Sequence, residues 1–207
     1  MTPEQKTLEL TSYWEALMRF KKTVAVAFAA ILTVAACASG PPKVIHVDEM
    51  KDPGLGMIYG EVRLPQPDWL LNLVMIQRVG KVYAGRLGER VQVTRDGRFV
   101  ASNLKPGKYM LAGFAIGQTR SMLGKEALNY TVEVKPGGIH FIGIYNYIEG
   151  KAANMIRPGS FDLQADNRKS SHVELLTWAE EATRETKWHA GIKRKLAEAQ
   201  KGQQTGK

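Results

Sequence analysis

Short runs of apolar or alternating residues, each followed by turn-forming residues, fill the middle of the chain from 55 to 148. Alternation with a period of two is typical of strands with one buried face, and helical spacing fits none of these runs. The pattern therefore predicts a mainly β domain, built as a sandwich or barrel. The seven predicted strands cover 57–64, 71–79, 90–94, 98–101, 108–114, 128–134 and 139–147.

The turns between these runs have recognisable chemistry. Asp96-Gly97 separates two alternating runs, which predicts a hairpin with a type I′ turn because both central residues of that turn need a positive φ. Pro106-Gly107 and Pro136-Gly137-Gly138 mark two further turns. The segment 149–170 is expected to be a linker, or to hold one more edge strand near residues 160–163.

The C-terminal pattern changes to helical spacing and predicts a helical extension over 171–200. Ser171 and Glu174 have the spacing of a capping box, and Thr186 is a possible start for a second helix. The apolar stripe favours packing against the β domain, with an amphipathic helix on an anionic membrane or on a partner as the alternative. Its residues are Leu175, Leu176, Trp178, Ala179, Ala182, Trp188, Ile192 and Leu196. The polar tail 201–207 is expected to be disordered.

The N-terminal region has the order of a secretory signal. A basic start at 18–22 precedes an uncharged stretch at 23–36, and small residues lead to Cys37, the one cysteine of the chain. The stretch is shorter than the roughly 18 residues that a membrane-spanning helix needs. Residues 1–17 are acidic and polar, which fits a mis-assigned start before Met18 or an extended n-region.

The box Val34-Ala35-Ala36-Cys37 closely resembles a bacterial lipoprotein signal. The resemblance implies signal cleavage between Ala36 and Cys37, lipidation of the Cys37 thiol, and a tether over 37–54. Neither Ala38 nor Ser39 matches the aspartate that favours inner-membrane retention in enterobacterial lipoproteins. The implied location is therefore the outer membrane, facing the periplasm. A cysteine buried in an ordinary hydrophobic segment is the less favoured alternative.

The formal net charge is +9, from 29 Lys and Arg residues against 20 Asp and Glu residues. A basic chain on a lipid tether would be attracted to anionic lipid headgroups or other anionic envelope polymers. No dense block of like charges concentrates the excess, so a role in solubility alone is an equal alternative. An envelope protein or polymer is the expected partner, and nucleic acid is not.

The sequence contains no clear catalytic or metal-binding motif. The spacing of His46, His140, His172 and His189 matches no local zinc or copper site, so no metal or other cofactor is predicted. We expect a packed or rim position for His140 and a solvated one for His172. No Gly-x-Ser-x-Gly elbow is present, and the cysteine is assigned to lipid. A non-catalytic binding or scaffolding protein is therefore predicted, with an accessory or weak periplasmic hydrolase as the alternative.

Three motifs in the β region resemble those of prealbumin-like sandwiches, the fold of transthyretin-like and carboxypeptidase regulatory-like domains. They are Gly60-Glu61-Val62, the stretch from Asp96-Gly97-Arg98-Phe99 to Leu104-Lys105-Pro106-Gly107-Lys108-Tyr109, and Val132-Glu133-Val134-Lys135-Pro136-Gly137. The resemblance implies a seven-stranded antiparallel sandwich at 55–148. It implies no activity, and Phe99, Leu104 and Tyr109 are expected to be core residues.

Overall fold

Two β-sheets and a pair of C-terminal helices form the part of the chain that the structure, a computed structural model, describes: 45–66, 69–80, 88–151 and 160–204. Ala36, Cys37, the predicted signal and the first part of the predicted tether lie outside these residues. The strands are β1 (Gly56–Arg63), β2 (Leu71–Arg78), β3 (Glu89–Gln92), β4 (Arg98–Leu104), β5 (Gly107–Ile116), β6 (Thr119–Met122), β7 (Thr131–Val134), β8 (Ile139–Glu149) and β9 (Phe161–Ala165). The helices are α1 (Lys169–Ala182) and α2 (His189–Gln204), and a 3-10 helix spans Gly124–Asn129.

The first sheet has the strand order β4-β1-β8-β9. Its β4-β1 and β8-β9 pairs are antiparallel, whereas β1 and β8 are parallel. The second sheet has the order β3-β2-β5-β6, and β7 pairs with the first half of β5. All pairs in the second sheet are antiparallel.

The mainly β prediction with a C-terminal helical part is confirmed, but the described residues contain nine strands rather than seven. All seven predicted runs contain strands. The two additional strands are β6, which is short and mostly polar, and β9, at the place of the possible edge strand. A fully antiparallel arrangement is wrong for the β1-β8 pair. The separation of these two strands in the sequence leaves room for the crossover that parallel pairing needs.

The Asp96-Gly97 hairpin is present, but its turn type differs from the prediction. Gly97 has φ 83°, and Asp96 has no positive φ. The Gly97 N–H donates to the Thr94 carbonyl at 2.9 Å, and the Thr94 N–H donates to the Arg98 carbonyl at 2.8 Å. This is a three-residue loop that ends in a left-handed glycine, so only one residue needs a positive φ.

The inner faces of the two sheets share one hydrophobic core. The first sheet contributes Ile58, Val62 and Phe99, and the second contributes Val74 and Leu111, all almost completely buried. Gly60 in β1 makes this packing possible, because a Cβ there would lie 2.7 Å from both the Phe99 ring and the Ile142 side chain. The core therefore uses the alternate positions that the sequence pattern predicted.

The helices cover the opposite face of the first sheet. Leu175, Trp188 and Ile192 are completely buried and pack with Met57 and Tyr59 of β1. The favoured prediction, that the apolar stripe folds back on the β domain, is therefore confirmed. No helix among the described residues is long and apolar enough to cross a membrane.

Both ends of the helical part differ from the prediction. Helix α1 begins at Lys169, so Ser171 lies inside its first turn, and the capping-box prediction is wrong. The Ser171 hydroxyl instead donates to Asp166 Oδ2 at 2.7 Å. Helix α2 continues to Gln204, and residues 201–204 are therefore helical instead of disordered.

The folded part begins earlier than the predicted boundary at residue 55. Ile45 and Val47 are each only 4% exposed and pack with the helices and the first sheet. The Trp188 indole N–H donates to the Asp48 carbonyl at 3.2 Å. The end of the predicted tether is therefore bound to the domain, because its apolar residues have a buried surface to pack on.

Candidate functional site

An open cleft of about 690 Å³ lies between β4 and β3, the strands at one edge of the two sheets. The segment 45–51, the end of β2 and the start of β5 complete its walls. We call it the edge cleft. Its volume is in the range of small-molecule sites, and its open form would also admit part of a longer polymer.

The floor of the edge cleft is apolar and belongs to the domain core. Val91, Val100, Leu104 and Tyr109 line it, and each is less than 9% exposed. Leu104 and Tyr109 are core residues, as predicted, and they also form cleft surface. The Tyr109 hydroxyl donates to the Lys105 carbonyl at 2.9 Å, which closes the Pro106-Gly107 turn. The floor is therefore rigid, because it consists of packed strand residues.

The rim of the edge cleft carries an excess of positive charge. Four cations line the cleft, namely Lys51, Arg78, Arg90 and Lys105. The carboxylates that line it are Asp48 and Glu89, and His46 is also present. The formal charge of the lining therefore favours an anionic ligand, since two carboxylates offset only half of the cations.

Arg78 is held in position by the turn that follows β4. Its Nη2 donates to the Pro106 carbonyl at 2.6 Å. Gly107 has φ 144°, and a Cβ there would lie 2.6 Å from Arg78 Nε. The Pro106-Gly107 turn thus leaves space for the guanidinium group as well as reversing the chain.

Asn103 fastens the segment 45–51 to the edge of the first sheet. Its Nδ2 donates to the Glu49 carbonyl at 2.9 Å, and its Oδ1 accepts the Lys51 N–H at 2.9 Å. Asn103 has φ 58° and lies where the β1-β4 register shifts. Asparagine tolerates this left-handed conformation better than most residues. The bulge therefore positions the Lys51 backbone at the rim of the edge cleft.

An apolar floor under a basic rim can bind an anionic molecule that also has apolar surface. The cations would contact carboxylate or phosphate groups, and the floor would bury carbon atoms of the ligand. Asp48 and Glu89 can accept hydrogen bonds from hydroxyl or amide groups. This arrangement is suited to binding and orientation.

The four histidines have different surroundings. His46 is at the edge cleft, and His189 contacts Glu180, with 3.4 Å between Nε2 and Oε1. His140 Nε2 accepts the Lys135 N–H at 3.0 Å, and the residue is partly exposed, in agreement with the predicted rim position. Burial lowers the pKa of His140, and the nearby Lys195 charge lowers it further.

The solvated position predicted for His172 is wrong. Its ring stacks on Phe141 with centroids 4.3 Å apart, and its Nε2 lies 2.9 Å from the Tyr59 hydroxyl. Burial lowers the pKa of His172 and raises that of Tyr59. A neutral His172 imidazole that accepts a hydrogen bond from the Tyr59 hydroxyl fits both shifts, and Tyr59 thereby connects the sheet to α1.

An ionic network around two buried carboxylates, absent from the sequence prediction, connects β1 to the start of α1. Asp166 Oδ2 accepts hydrogen bonds from Arg63 at 2.8 Å and Arg168 at 2.7 Å, in addition to the Ser171 hydroxyl. The Arg168 hydrogen bond is the main reason why the pKa of Asp166 lies well below its usual range, although burial opposes the shift. Arg63 also binds Glu61, with Nε 2.6 Å from Oε1.

Among the described residues, no group of three or more His, Cys, Asp or Glu side chains could hold a metal ion.

The sequence analysis did not identify the four cations of the edge cleft, because they are far apart in the chain. The Leu104-Lys105-Pro106-Gly107-Lys108-Tyr109 motif was the one available signal, since three of its residues line the edge cleft.

The comparisons with known proteins do not assign a family. No family model matches the sequence, and no curated protein matches it. One solved structure with similarity is a leucine-rich repeat protein from Bacteroides thetaiotaomicron VPI-5482, at 10% identity and a TM-score of 0.32. The similarity covers 51% of this chain and 15% of that one. At this TM-score it carries no argument about fold or function.

Proposed function

We propose that this protein is a lipid-anchored, non-catalytic envelope protein that binds an anionic envelope polymer in the edge cleft. The observation that carries the proposal is the set of four cations around an apolar floor. The lipid would be attached at Cys37 and would hold the domain at the outer membrane, on the periplasmic side. The protein would thereby keep its polymer close to the membrane surface.

The proposed fold is a prealbumin-like sandwich with additional strands and a helical layer. Two features of the resembling motifs have physical explanations in this domain. Gly60 gives room to the Phe99 ring, and the Tyr109 hydroxyl closes the turn at Lys105. These explanations support the resemblance, and the β6 and β9 strands would be additions to the seven-stranded pattern.

Charge and position support an anionic polymer as the ligand. Lys51, Arg90 and Lys105 are exposed and have no role in the hydrophobic core, so their charges are available to a ligand. Acidic polymers carry repeated carboxylate or phosphate groups, which several cations can contact together. Carboxylate-bearing peptidoglycan and phosphate-bearing lipopolysaccharide share this chemistry.

The test is binding of the purified protein to peptidoglycan fragments and, separately, to lipopolysaccharide. A variant with Lys51→Gln, Arg90→Gln and Lys105→Gln should bind the preferred polymer about tenfold more weakly, since three charge contacts are lost. Added salt should weaken binding by the unchanged protein. The stronger of the two binding isotherms would identify the polymer.

The matched control changes three exposed lysines outside the edge cleft, as Lys125→Gln, Lys151→Gln and Lys193→Gln. Both variants lose the same net charge, so a general electrostatic attraction would affect them equally. Equal loss of binding in the two variants, or no binding of either polymer by the unchanged protein, would refute the proposed role of the edge cleft.

A further inference from the structure

A second cleft, of about 450 Å³, lies at the opposite ends of β2 and β4 from the edge cleft. The end of β1 and the β3-β4 turn form its sides. The lining includes Arg63, Leu64, Gln66, Trp69, Arg95 and Asp96. We call it the Trp69 cleft.

Trp69 gives this cleft a rigid aromatic wall. Its ring packs edge-to-face on Tyr147, with centroids 5.8 Å apart and planes at 70°. Tyr147 in turn packs against Phe114, which is completely buried. The indole is half-buried in this way, and its remaining surface contributes to the cleft. An aromatic ring held by neighbours is a suitable platform for a flat ligand, because little side-chain freedom is lost on binding.

An ionic network adjoins the Trp69 cleft, and two of its members, Arg63 and Glu61, line the cleft. Arg63 contacts both Glu61 and Asp166, while Arg98 Nε lies 3.8 Å from Glu61 Oε2. Arg168 also binds Asp166. Three cations therefore share two carboxylates. The Arg98 Nε atom is buried and has no hydrogen-bond acceptor among the described residues. The charges of the lining itself balance, with Arg63 and Arg95 against Glu61 and Asp96. Because Arg63 is already paired with Glu61, Arg95 is the lining cation that can contact an anion.

Arg95 and Asp96 give the rim of the Trp69 cleft polar groups that face solvent. Both belong to the three-residue β3-β4 loop and are exposed. Within the described part of the chain, the Arg95 side chain makes no hydrogen bond or ion pair. Gln66 adds an exposed amide on the other side. The rim therefore combines an exposed guanidinium group with groups that can accept hydrogen bonds from hydroxyls or donate hydrogen bonds to them.

We propose that the Trp69 cleft binds an acidic saccharide. The apolar face of a pyranose ring packs on the Trp69 indole. The carboxylate or phosphate group of the saccharide contacts Arg95. Gln66 and Asp96 bind the ring hydroxyls. Guanidinium groups are well suited to this anion because they can form two parallel hydrogen bonds with it.

This inference does not depend on the edge cleft. The residues of the Trp69 cleft are separate from those proposed to bind a polymer, so either site can be present without the other. If both are present, the protein contacts acidic ligands at two ends of the same pair of sheets.

The test follows the Trp69 indole N–H signal by NMR while sugars are added to the purified full-length protein. Comparison with Trp69→Phe assigns the signal. The probes are glucuronate and glucose 6-phosphate, each compared with neutral glucose. We expect an acidic sugar to shift the signal at millimolar concentration and to bind about tenfold more tightly than glucose, because one charged hydrogen-bonded contact is added.

Arg95→Gln should remove the preference for the acidic sugar, while Arg120→Gln, an exposed arginine on β6, should retain it. The triple edge-cleft variant should also retain it, which separates this result from the test of the proposed function. Preference for glucuronate over glucose 6-phosphate, or the reverse, identifies the anionic group. No shift of the Trp69 signal, equal affinity for glucose, or unchanged preference in Arg95→Gln would overturn the inference.

Discussion

Gly97 occupies a position where the backbone needs both a left-handed conformation and the absence of a side chain. Its φ is 83°, and an added Cβ would overlap the Val62 carbonyl oxygen. Its own carbonyl accepts the Val62 N–H at 3.0 Å. The sequence predicted the turn from Asp96-Gly97, but the close approach to β1 depends on tertiary structure.

Gly97→Ala should lower the free energy of unfolding by about 2 to 3 kcal/mol, because it adds a backbone overlap to the strain of a positive φ. Urea unfolding of the purified protein measures this change. Gly117→Ala is the matched control: its φ is 56°, but no heavy atom lies within 4 Å of the added Cβ. It should cost about 1 kcal/mol. Equal losses for the two variants would show that overlap with Val62 is unimportant.

Bulges explain why alternation alone does not assign every strand residue to a face. Tyr59 and Gly60 are neighbours in β1, but they pair with Phe141 and Gly143 of β8. Ile142 is therefore an extra residue in β8. Phe141 and Ile144 therefore both face the helices, although they are three positions apart. The strand was predictable from its composition, but the change of face was not, because it depends on the partner strand.

Asp166, and not the predicted capping residue Ser171, organises the start of α1. Asp166 lies before the helix, yet it accepts the Arg168 N–H at 3.0 Å and binds two arginine side chains and Ser171. Its side chain is only 4% exposed. The sequence spacing pointed to Ser171 and Glu174 instead, since it could not show that Arg63 from β1 would reach this point.

Asp166→Asn should lower the free energy of unfolding at neutral pH by about 1 to 2 kcal/mol, because the charged acceptor is lost. The folded-state pKa of Asp166 is lowered. Its carboxylate therefore stabilises the folded protein at pH values above the unfolded-state pKa of about 3.9. This contribution decreases as the pH falls below that value. Urea unfolding between neutral pH and pH values below the unfolded-state pKa should therefore show a shallower pH dependence in the variant.

The control for this pH dependence is Asp162→Asn, which removes an exposed carboxylate from β9, the strand that ends one residue before Asp166. It should leave the stability at neutral pH nearly unchanged. If Asp166→Asn and Asp162→Asn have the same acid profile, the ionic network does not contribute to stability in the way that its geometry indicates.

At the scale of the whole molecule, the proposed location depends on the predicted lipidation of Cys37, and the proposed binding depends on residues brought together by folding. Lys51, Arg78, Arg90 and Lys105 are separated by at least 12 positions in the chain. They meet at one cleft because β3 and β4 are edge strands of facing sheets. The net charge left attraction to an anionic partner and a role in solubility as equal alternatives, and the candidate place of contact required the fold.

Cys37→Ser should abolish labelling by a palmitate analogue and leave an unprocessed precursor, because the thiol that accepts the lipid is absent. The matched control is the double change Cys37→Ser with Ser39→Cys, which restores a thiol two positions away from the signal box. It should also remain unlabelled. Labelling of the Cys37→Ser protein would refute lipidation at this residue, and labelling of the double variant would show that the box is not required.

The sequence by itself determined the β class, the seven main strands, the apolar stripe of the helices and the predicted lipidation site. These properties depend on local periodicity, turn chemistry and short motifs, each of which involves residues close together in the sequence. Tertiary structure alone decided the parallel β1-β8 pair, the Asp166 network, the burial of His172 and the charges of the edge cleft. Each of these joins residues distant in the chain, and their energies depend on burial and on contacts that form only when the sheets and helices pack together.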